Sequence, residues 1–349
     1  MKDLSHITYD VKSTRAEEFI HDGEIRSTLE YAREHSCDKE LIDKILAKAE
    51  LGKGLSHREA AVLIEVRDQE AEERMYTIAR QLKERIYGNR IVMFAPLYLS
   101  NHCVNGCVYC PYHAQNRHIP RRRLTQEEIR REVIALQDMG HKRLALETGE
   151  HPKMSPIEYV LESIKTIYSI RHKNGAIRRV NVNIAATTVE NYRLLKEAGI
   201  GTYILFEETY DRATYERLHP TGPKSDWAYH TEAMDRAMLG GIDDVGIGAL
   251  FGLSNYRYDA TEHLVGHCIG EVFGIDVVGR TYAGHADGVW THSETRFQVL
   301  GVHEQTDHIV AVVGKSKQGS YTHIVDAAQH GTVHRLGMVC PVALGACGV

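Results

Sequence analysis

Three cysteines, Cys103, Cys107 and Cys110, fall within eight residues of a 349-residue chain that holds seven in all. Spaced C-x3-C-x2-C, three thiolates can wrap one corner of a cube of iron and sulfide. A four-iron cluster normally takes four cysteines. Three leave one iron free for a small molecule, and an electron can then pass from the cluster directly into a bound sulfonium. Other readings compete, because a C-x-x-C pair is also the mark of a zinc knuckle or a redox pair. A structural zinc needs four ligands. No matching second cysteine pair lies before residue 260, although His102 or His113 could complete a set. An odd cysteine count, so crowded, argues against a disulfide framework and for a reducing, cytoplasmic setting. Cys37 stands alone in a region of helical pattern and reads as an inert, partly buried thiol.

The rest of the composition is that of an ordinary globular chain, 43% apolar and 26% charged with a net charge of −5. No run reaches the ~18 apolar residues of a membrane span, and the polar first residues carry no leader-like apolar core. A mildly acidic balance gives no electrostatic reason to expect nucleic acid or an anionic membrane as partner.

The elements that must position the cysteines follow from periodicity. Residues 15–88 read as helices: Ser56 and Glu59 form a capping box, and Arg67–Tyr87 carries Met75, Ile78, Leu82 and Ile86 at helical spacing before Gly88. Then short apolar runs of strand length appear at Ile91–Leu99, Leu144–Leu146, Val180–Ala185, Thr202–Phe206 and Val245–Leu253. Helical patterns fill the gaps. Thr125 with Glu128 opens one that Gly140 ends, and Thr187 with Glu190 opens another that Gly199 ends. Strands alternating with amphipathic helices predict an α/β fold with a parallel sheet, and five units suggest a barrel. The cysteine loop follows the first strand, at the barrel end where active sites are built.

This spacing, with Tyr109 before the last cysteine, resembles the signature of the radical SAM superfamily. Gly149-Glu150-His151-Pro152 after the second strand is similar to its Gly-Glu motif, Asn181-Val-Asn183 to its third-strand contacts, and Val245-Gly-Ile-Gly248 to its adenine wall. From about residue 18 to 259 the chain looks like the HydG family, radical SAM tyrosine lyases that mature FeFe-hydrogenase. The matching stretches include IYGNRIVMFAPLYLSNHCVNGCVYC and HPTGPKSDWAYHTEAMDRAM. ThiH, the tyrosine lyase of thiazole synthesis, is similar but less close. The resemblance implies a 4Fe-4S cluster on Cys103, Cys107 and Cys110, and S-adenosyl-L-methionine beside Tyr109, Gly149, Glu150 and Asn183. It further implies a 5′-deoxyadenosyl radical that takes hydrogen from tyrosine, giving p-cresol and dehydroglycine. A low-potential electron donor and hydrogenase maturation proteins would be the partners. Two positions depart from the family pattern: His151 where Asp is usual, and Glu207 where Gln is usual. His113, His118 and His219 could relay protons, but read first as exposed loop histidines.

After Asp259 the resemblance stops. Pair His219 with Val349, Pro220 with Gly348, and so inward to Asp259 with Ile309: every pair can be encoded by reverse-complementary codons, and Ala260 with His308 is the first that cannot. Single-codon residues decide it, since Met234 faces His334, Met238 faces His330, and Trp227 faces Pro341. Read backwards in the same way, residues 293 to 277 permit G-V-G-P-H-T-I-S-V-P-R-I-R-P-A-D-D, which resembles the family's own continuation through strand six. Residues 260–349 thus read as antisense of the same gene. Complementation exchanges the middle bases of apolar and polar codons, so the tail carries the core pattern inside out and cannot be expected to close a barrel. The expected organisation is a helical extension (1–88), a partial radical SAM barrel truncated after its fifth strand (89–259), and a tail without a native domain (260–349). The chain as it stands is expected to be inactive.

Overall fold

The computed structural model of the protein describes residue 10, residues 13–173 and residues 175–266, with side chains as far as Thr261. It also describes the antiparallel pair Ile309–Val310 with Asp326–Ala327. The expectations for the antisense-like tail otherwise lie outside the described residues.

The helical region consists of α1 (Ala16–Phe19), α2 (Asp22–His35), α3 (Lys39–Glu50), α4 (His57–Glu65) and α5 (Gln69–Tyr87). The Ser56/Glu59 capping box opens α4 as expected. α5 starts two residues later than its periodicity suggested, because the Asp68 side chain accepts from the Ala71 amide and fixes the cap there. Ile42, Ile45, Leu46, Val62 and Ile78 make this region's own core. Cys37 lies just past α2 and is exposed, not partly buried as its helical surroundings suggested.

Five parallel strands follow in sequential order: β1 (Ala95–Ser100), β2 (Arg143–Thr148), β3 (Arg179–Asn183), β4 (Tyr203–Ile204) and β5 (Val245–Gly246). The connecting helices are α6 (Gln126–Asp138), α7 (Ile157–Ser169), α8 (Val189–Glu197), α9 (Arg212–Leu218), α10 (Trp227–Thr231) and α11 (Ala233–Leu239). All four central residues of β2 are buried, the mark of a parallel strand covered on both faces. Leu144, Leu146, Val180 and Val182 pack with Ile129 and Val133 of α6 and with Ile164 and Ile167 of α7.

The expected five-strand parallel sheet is present, with shifted strand ends. β1 begins at Ala95, and Ile91 and Met93 before it are exposed. β5 is only two residues long, where an apolar run of nine suggested more. The Thr125/Glu128 box opens α6. α8 is capped by Thr188 instead of Thr187, whose hydroxyl takes the Asn191 side-chain amide. Gly140 and Gly199 end their helices with φ of 96° and 78°, a conformation open to glycine.

A further helix, α12 (Tyr256–Gly266), lies against α2 and α4. Tyr258 donates to Asp22 at 3.0 Å, and Arg257 pairs with Glu65 at 2.7 Å. Phe19, Ile25 and Leu29 meet Tyr210, Tyr215, Trp227 and Tyr258 in one apolar cluster. The helical extension therefore packs against the segments that follow β4. No helix among the described residues is long and apolar enough to cross a membrane.

Candidate active site

Strand register builds one wall of the site. Tyr98 on β1 pairs with Glu147 on β2, which pairs with Asn183 on β3. Residues paired across a parallel sheet share a face, and these three line a single cleft at the carboxyl ends of the strands. Desolvation holds the Glu147 carboxyl well above its ordinary range, partly offset by a hydrogen bond from Asn183.

Cys103, Cys107 and Cys110 line the same cleft. Their loop is held by backbone bonds to two other segments: Val104 N donates to Glu150 O at 2.8 Å, Gly106 N to Thr221 O at 2.8 Å, and Val108 N to Leu218 O at 3.0 Å. Asn105, 3% exposed, ties the set together. Its Nδ2 donates to Glu150 Oε2 at 2.6 Å and lies 3.7 Å from Cys103 Sγ, while its Oδ1 accepts from the Lys224 amide at 2.9 Å. Gly149 is required by close approach. A Cβ there would sit 2.5 Å from His102 O and 3.1 Å from Cys103 Cβ.

Burial pushes the Cys107 thiol up to about 11 and the Cys110 thiol up to about 12. An electron-withdrawing metal is what would make thiolates of them. Among the described residues, no three His, Cys, Asp or Glu side chains are gathered tightly enough for one metal ion. Three soft sulfur donors spread around a cleft suit a cluster, where each binds its own iron, better than a single zinc.

Tyr109, Gly149, Glu150 and Asn183, the four residues expected beside a cofactor, all line this cleft with the cysteines. Tyr109 is fixed by His219. The His219 Nδ1 lies 2.9 Å from Tyr215 O, which can only accept, so Nε2 accepts from the Tyr109 hydroxyl at 2.7 Å. His219 is 1% exposed, which overturns its reading as an exposed loop histidine. Desolvation and the Lys224 charge hold its imidazole down at about 3. His118 is exposed and His113 half-buried, and neither lines the cleft.

The two departures from the expected pattern have structural readings. His151 Nδ1 accepts from the amides of Lys153 and Met154 at 3.2 and 3.1 Å, the role a carboxylate would take at a turn. Glu207 is buried, with Thr231 Oγ1 2.8 Å from one carboxyl oxygen and His230 Nδ1 2.7 Å from the other. Burial raises Glu207 to about 8 and holds His230 well below the usual imidazole range.

Periodicity and spacing did not pick out Asn105, Glu208, Lys224 or His230, all of which line the cleft. Glu208 is 4% exposed and has φ of 72°, a strained value for a residue with a Cβ. Its Oε1 lies 3.7 Å from Lys224 Nζ, and its Oε2 is buried without a hydrogen-bond partner. Two adjacent carboxyls directly after a buried strand were the available signal. Gly248, on the expected fifth-strand wall, lets Phe206 approach, since a Cβ would lie 2.7 Å from its ring.

Comparison with known proteins agrees with this architecture. Residues 97–265 match the family model of the radical SAM superfamily. The crystal structure of HydG, a maturase of the FeFe-hydrogenase, superposes with a TM-score of 0.68 at 55% identity, covering 71% of this chain and 54% of that one. HydG from Carboxydothermus hydrogenoformans gives 0.65 at 40% identity, covering 72% and 57%. The 2-iminoacetate synthase of Escherichia coli (strain K12) is 37% identical over 191 residues, 54% of this chain and 49% of the relative. The chain thus spans about half the length of the curated relatives it matches. A parallel sheet in sequential order, a three-cysteine loop after its first strand and these likenesses agree: residues 97–265 of this chain form a radical SAM domain.

Proposed function

We propose that this domain is the catalytic part of a radical SAM lyase that cleaves tyrosine between Cα and Cβ, giving p-cresol and dehydroglycine for hydrogenase maturation. The observation that carries it is one cleft lined by the three motif cysteines, the Gly149-Glu150 turn and the polar ends of β1 to β3. In this reading Cys103, Cys107 and Cys110 hold a 4Fe-4S cluster, and Tyr109, Gly149, Glu150 and Asn183 bind S-adenosyl-L-methionine. Bound there, the pair supplies one-electron cleavage of a carbon–sulfur bond, which licenses hydrogen-atom abstraction.

The chain's own residues do the positioning. Asn105 fixes the cysteine loop to the Glu150 turn, so ligands from two strand ends keep one geometry. His219 orients Tyr109, and the apolar surround of Leu205 and Phe206 helps exclude water. Glu208 and Lys224 set a buried charge pair beside the cysteines. Tyrosine, a low-potential electron donor and hydrogenase maturation proteins are the partners of this reading, and the cytoplasm is its setting. An arginine to hold the tyrosine carboxylate is expected after a sixth strand, beyond the fifth present here.

The likeness to 2-iminoacetate synthase supports a second reading, the same tyrosine cleavage serving thiazole synthesis. A zinc-binding protein without catalysis is the rival of another class. Anaerobic reconstitution separates them: a brown protein with absorption near 400 nm supports the cluster. With the gene restored to full length, SAM-dependent release of p-cresol from tyrosine is expected. Its absence from a fully loaded protein that still cleaves SAM would refute the tyrosine assignment.

A further inference from the structure

A buried pair reaches the cleft through one member, His230, and the residues proposed for the cofactor leave it unused. Glu207 follows β4 and His230 belongs to α10, 23 residues apart in sequence, and both are 4% exposed. His230 Nδ1 and Glu207 Oε2 lie 2.7 Å apart, and Thr231 Oγ1 donates to the other carboxylate oxygen at 2.8 Å. Thr231 in turn sits one helical turn from Trp227, whose carbonyl its hydroxyl also reaches. The imidazole is therefore fixed at one nitrogen. Its other nitrogen, Nε2, is buried with no hydrogen-bond partner in a side chain that lines the cleft. A buried polar atom left unpaired is costly, and a ligand group in the cleft would satisfy it.

We propose that His230, backed by Glu207, is the polar anchor and proton acceptor for a hydroxyl or ammonium group of the substrate. The inference rests on the tyrosine reading for the identity of that substrate, and names the residue that would recognise its hydrogen-bond donor. The step starts from the ionised Glu207 carboxylate, the form that prevails above about pH 8, with the proton of the pair on His230 Nδ1. The substrate O–H or N–H bond breaks and its proton lands on His230 Nε2. The Nδ1 proton crosses to Glu207 Oε2, and the carboxylate's negative charge passes to the substrate atom, or cancels the charge of an ammonium. Glu207 is the positioning residue and proton store. A glutamine there would keep the imidazole oriented but could not take up the proton.

Other charged or titratable groups bear on the pair from the surrounding elements. Lys224 and Arg236 favour the deprotonated pair, whereas the Glu208 carboxylate opposes it, and the Tyr215 ring lies tilted at 5.8 Å from the His230 ring. The net effect of burial is to keep the two groups from ionising together.

Nitrogen NMR of histidine-labelled full chain tests the dyad without substrate. The His230 Nε2 signal should convert between protonated and unprotonated forms between about pH 6 and 9. In Glu207→Gln the midpoint should fall by two pH units or more, because the proton must then create a buried imidazolium. Calorimetric binding of tyrosine and phenylalanine to the reconstituted product of the full-length gene tests recognition. The wild type should prefer tyrosine by about tenfold, and His230→Phe should lose that preference while still binding phenylalanine. A midpoint unmoved by Glu207→Gln, no titration of His230 at all, or a preference that survives His230→Phe would overturn the proposal. A titrating dyad in a protein that binds neither amino acid would refute the tyrosine reading and leave the proton store standing. Thermal unfolding of both variants shows whether they are folded, and the milder His230→Gln replaces His230→Phe if that one is not.

Discussion

Asn105 Nδ2 donates to Glu150 Oε2 at 2.6 Å and so joins the cysteine loop after β1 to the Gly-Glu turn after β2. Two loops 45 residues apart in sequence share one buried polar side chain, and each depends on it. Glu150, its carboxyl pushed up by burial, is relieved by this hydrogen bond and by Lys224.

Asn105→Ala should therefore act on both loops at once. It leaves a buried carboxyl without its donor and the Lys224 amide without its acceptor, a loss of about 1–3 kcal/mol by the cost of an unsatisfied group. A lowered Tm together with faster loss of reconstituted iron is the expected result. Unchanged iron retention would show that the loop holds its shape without Asn105.

Cys107 is the most buried of the three motif thiols, 6% exposed. Reconstituted protein should hold about four irons, the content of a four-iron cluster. Cys107→Ala should lose most of them, because a methyl group cannot replace a thiolate ligand. Stoichiometric zinc with no iron after anaerobic reconstitution would point to the zinc reading instead.

His219 makes acid stability measurable. Its folded pKa, about 3, lies below the ordinary 6.5, so it contributes stability above pH 6.5 that is lost as pH falls from there toward 3. Asp259 works the other way. Burial raises it to about 6 from 3.8, so its contribution is present below about 4 and is lost as pH rises through 6. His219→Gln should move the acid-unfolding midpoint to lower pH. Asp259→Asn, which can keep the acceptor for the Tyr210 amide, should raise stability at pH 8 more than at pH 4. Urea titrations at several pH values read both.

The complementary pairing of residues 219–259 with 309–349 predicts an inverted join in the DNA. Resequencing across codons 255–265 should find sense sequence continuing past codon 259 into a sixth strand. An uninterrupted read that reproduces the tail would show that the inversion is carried by the gene itself.

The sequence by itself determined the sheet and the cysteine loop. Apolar runs bounded by capping boxes are local signals, and so is C-x3-C-x2-C, because neighbours along the chain fix strand, helix start and thiol spacing. Strand ends were less legible: β5 shrinks to Val245–Gly246 although the apolar run continues, and past Ile204 the two segments keep scattered backbone bonds and the single Glu208–Ala249 bridge instead of a full ladder. The tertiary structure alone decided which polar side chains face the cleft or back those that do. Asn105 and His230 line it and His219 backs Tyr109; their partners Glu150, Glu207 and Tyr109 stand 45, 23 and 110 residues away. His219 shows the reason most directly. As one residue in a loop it reads as solvated, and it becomes a neutral buried acceptor only once Tyr109 and Tyr215 close around it. Burial and hydrogen-bond partners are properties of the folded chain, and desolvation, which sets these groups' protonation, has no counterpart in the order of residues.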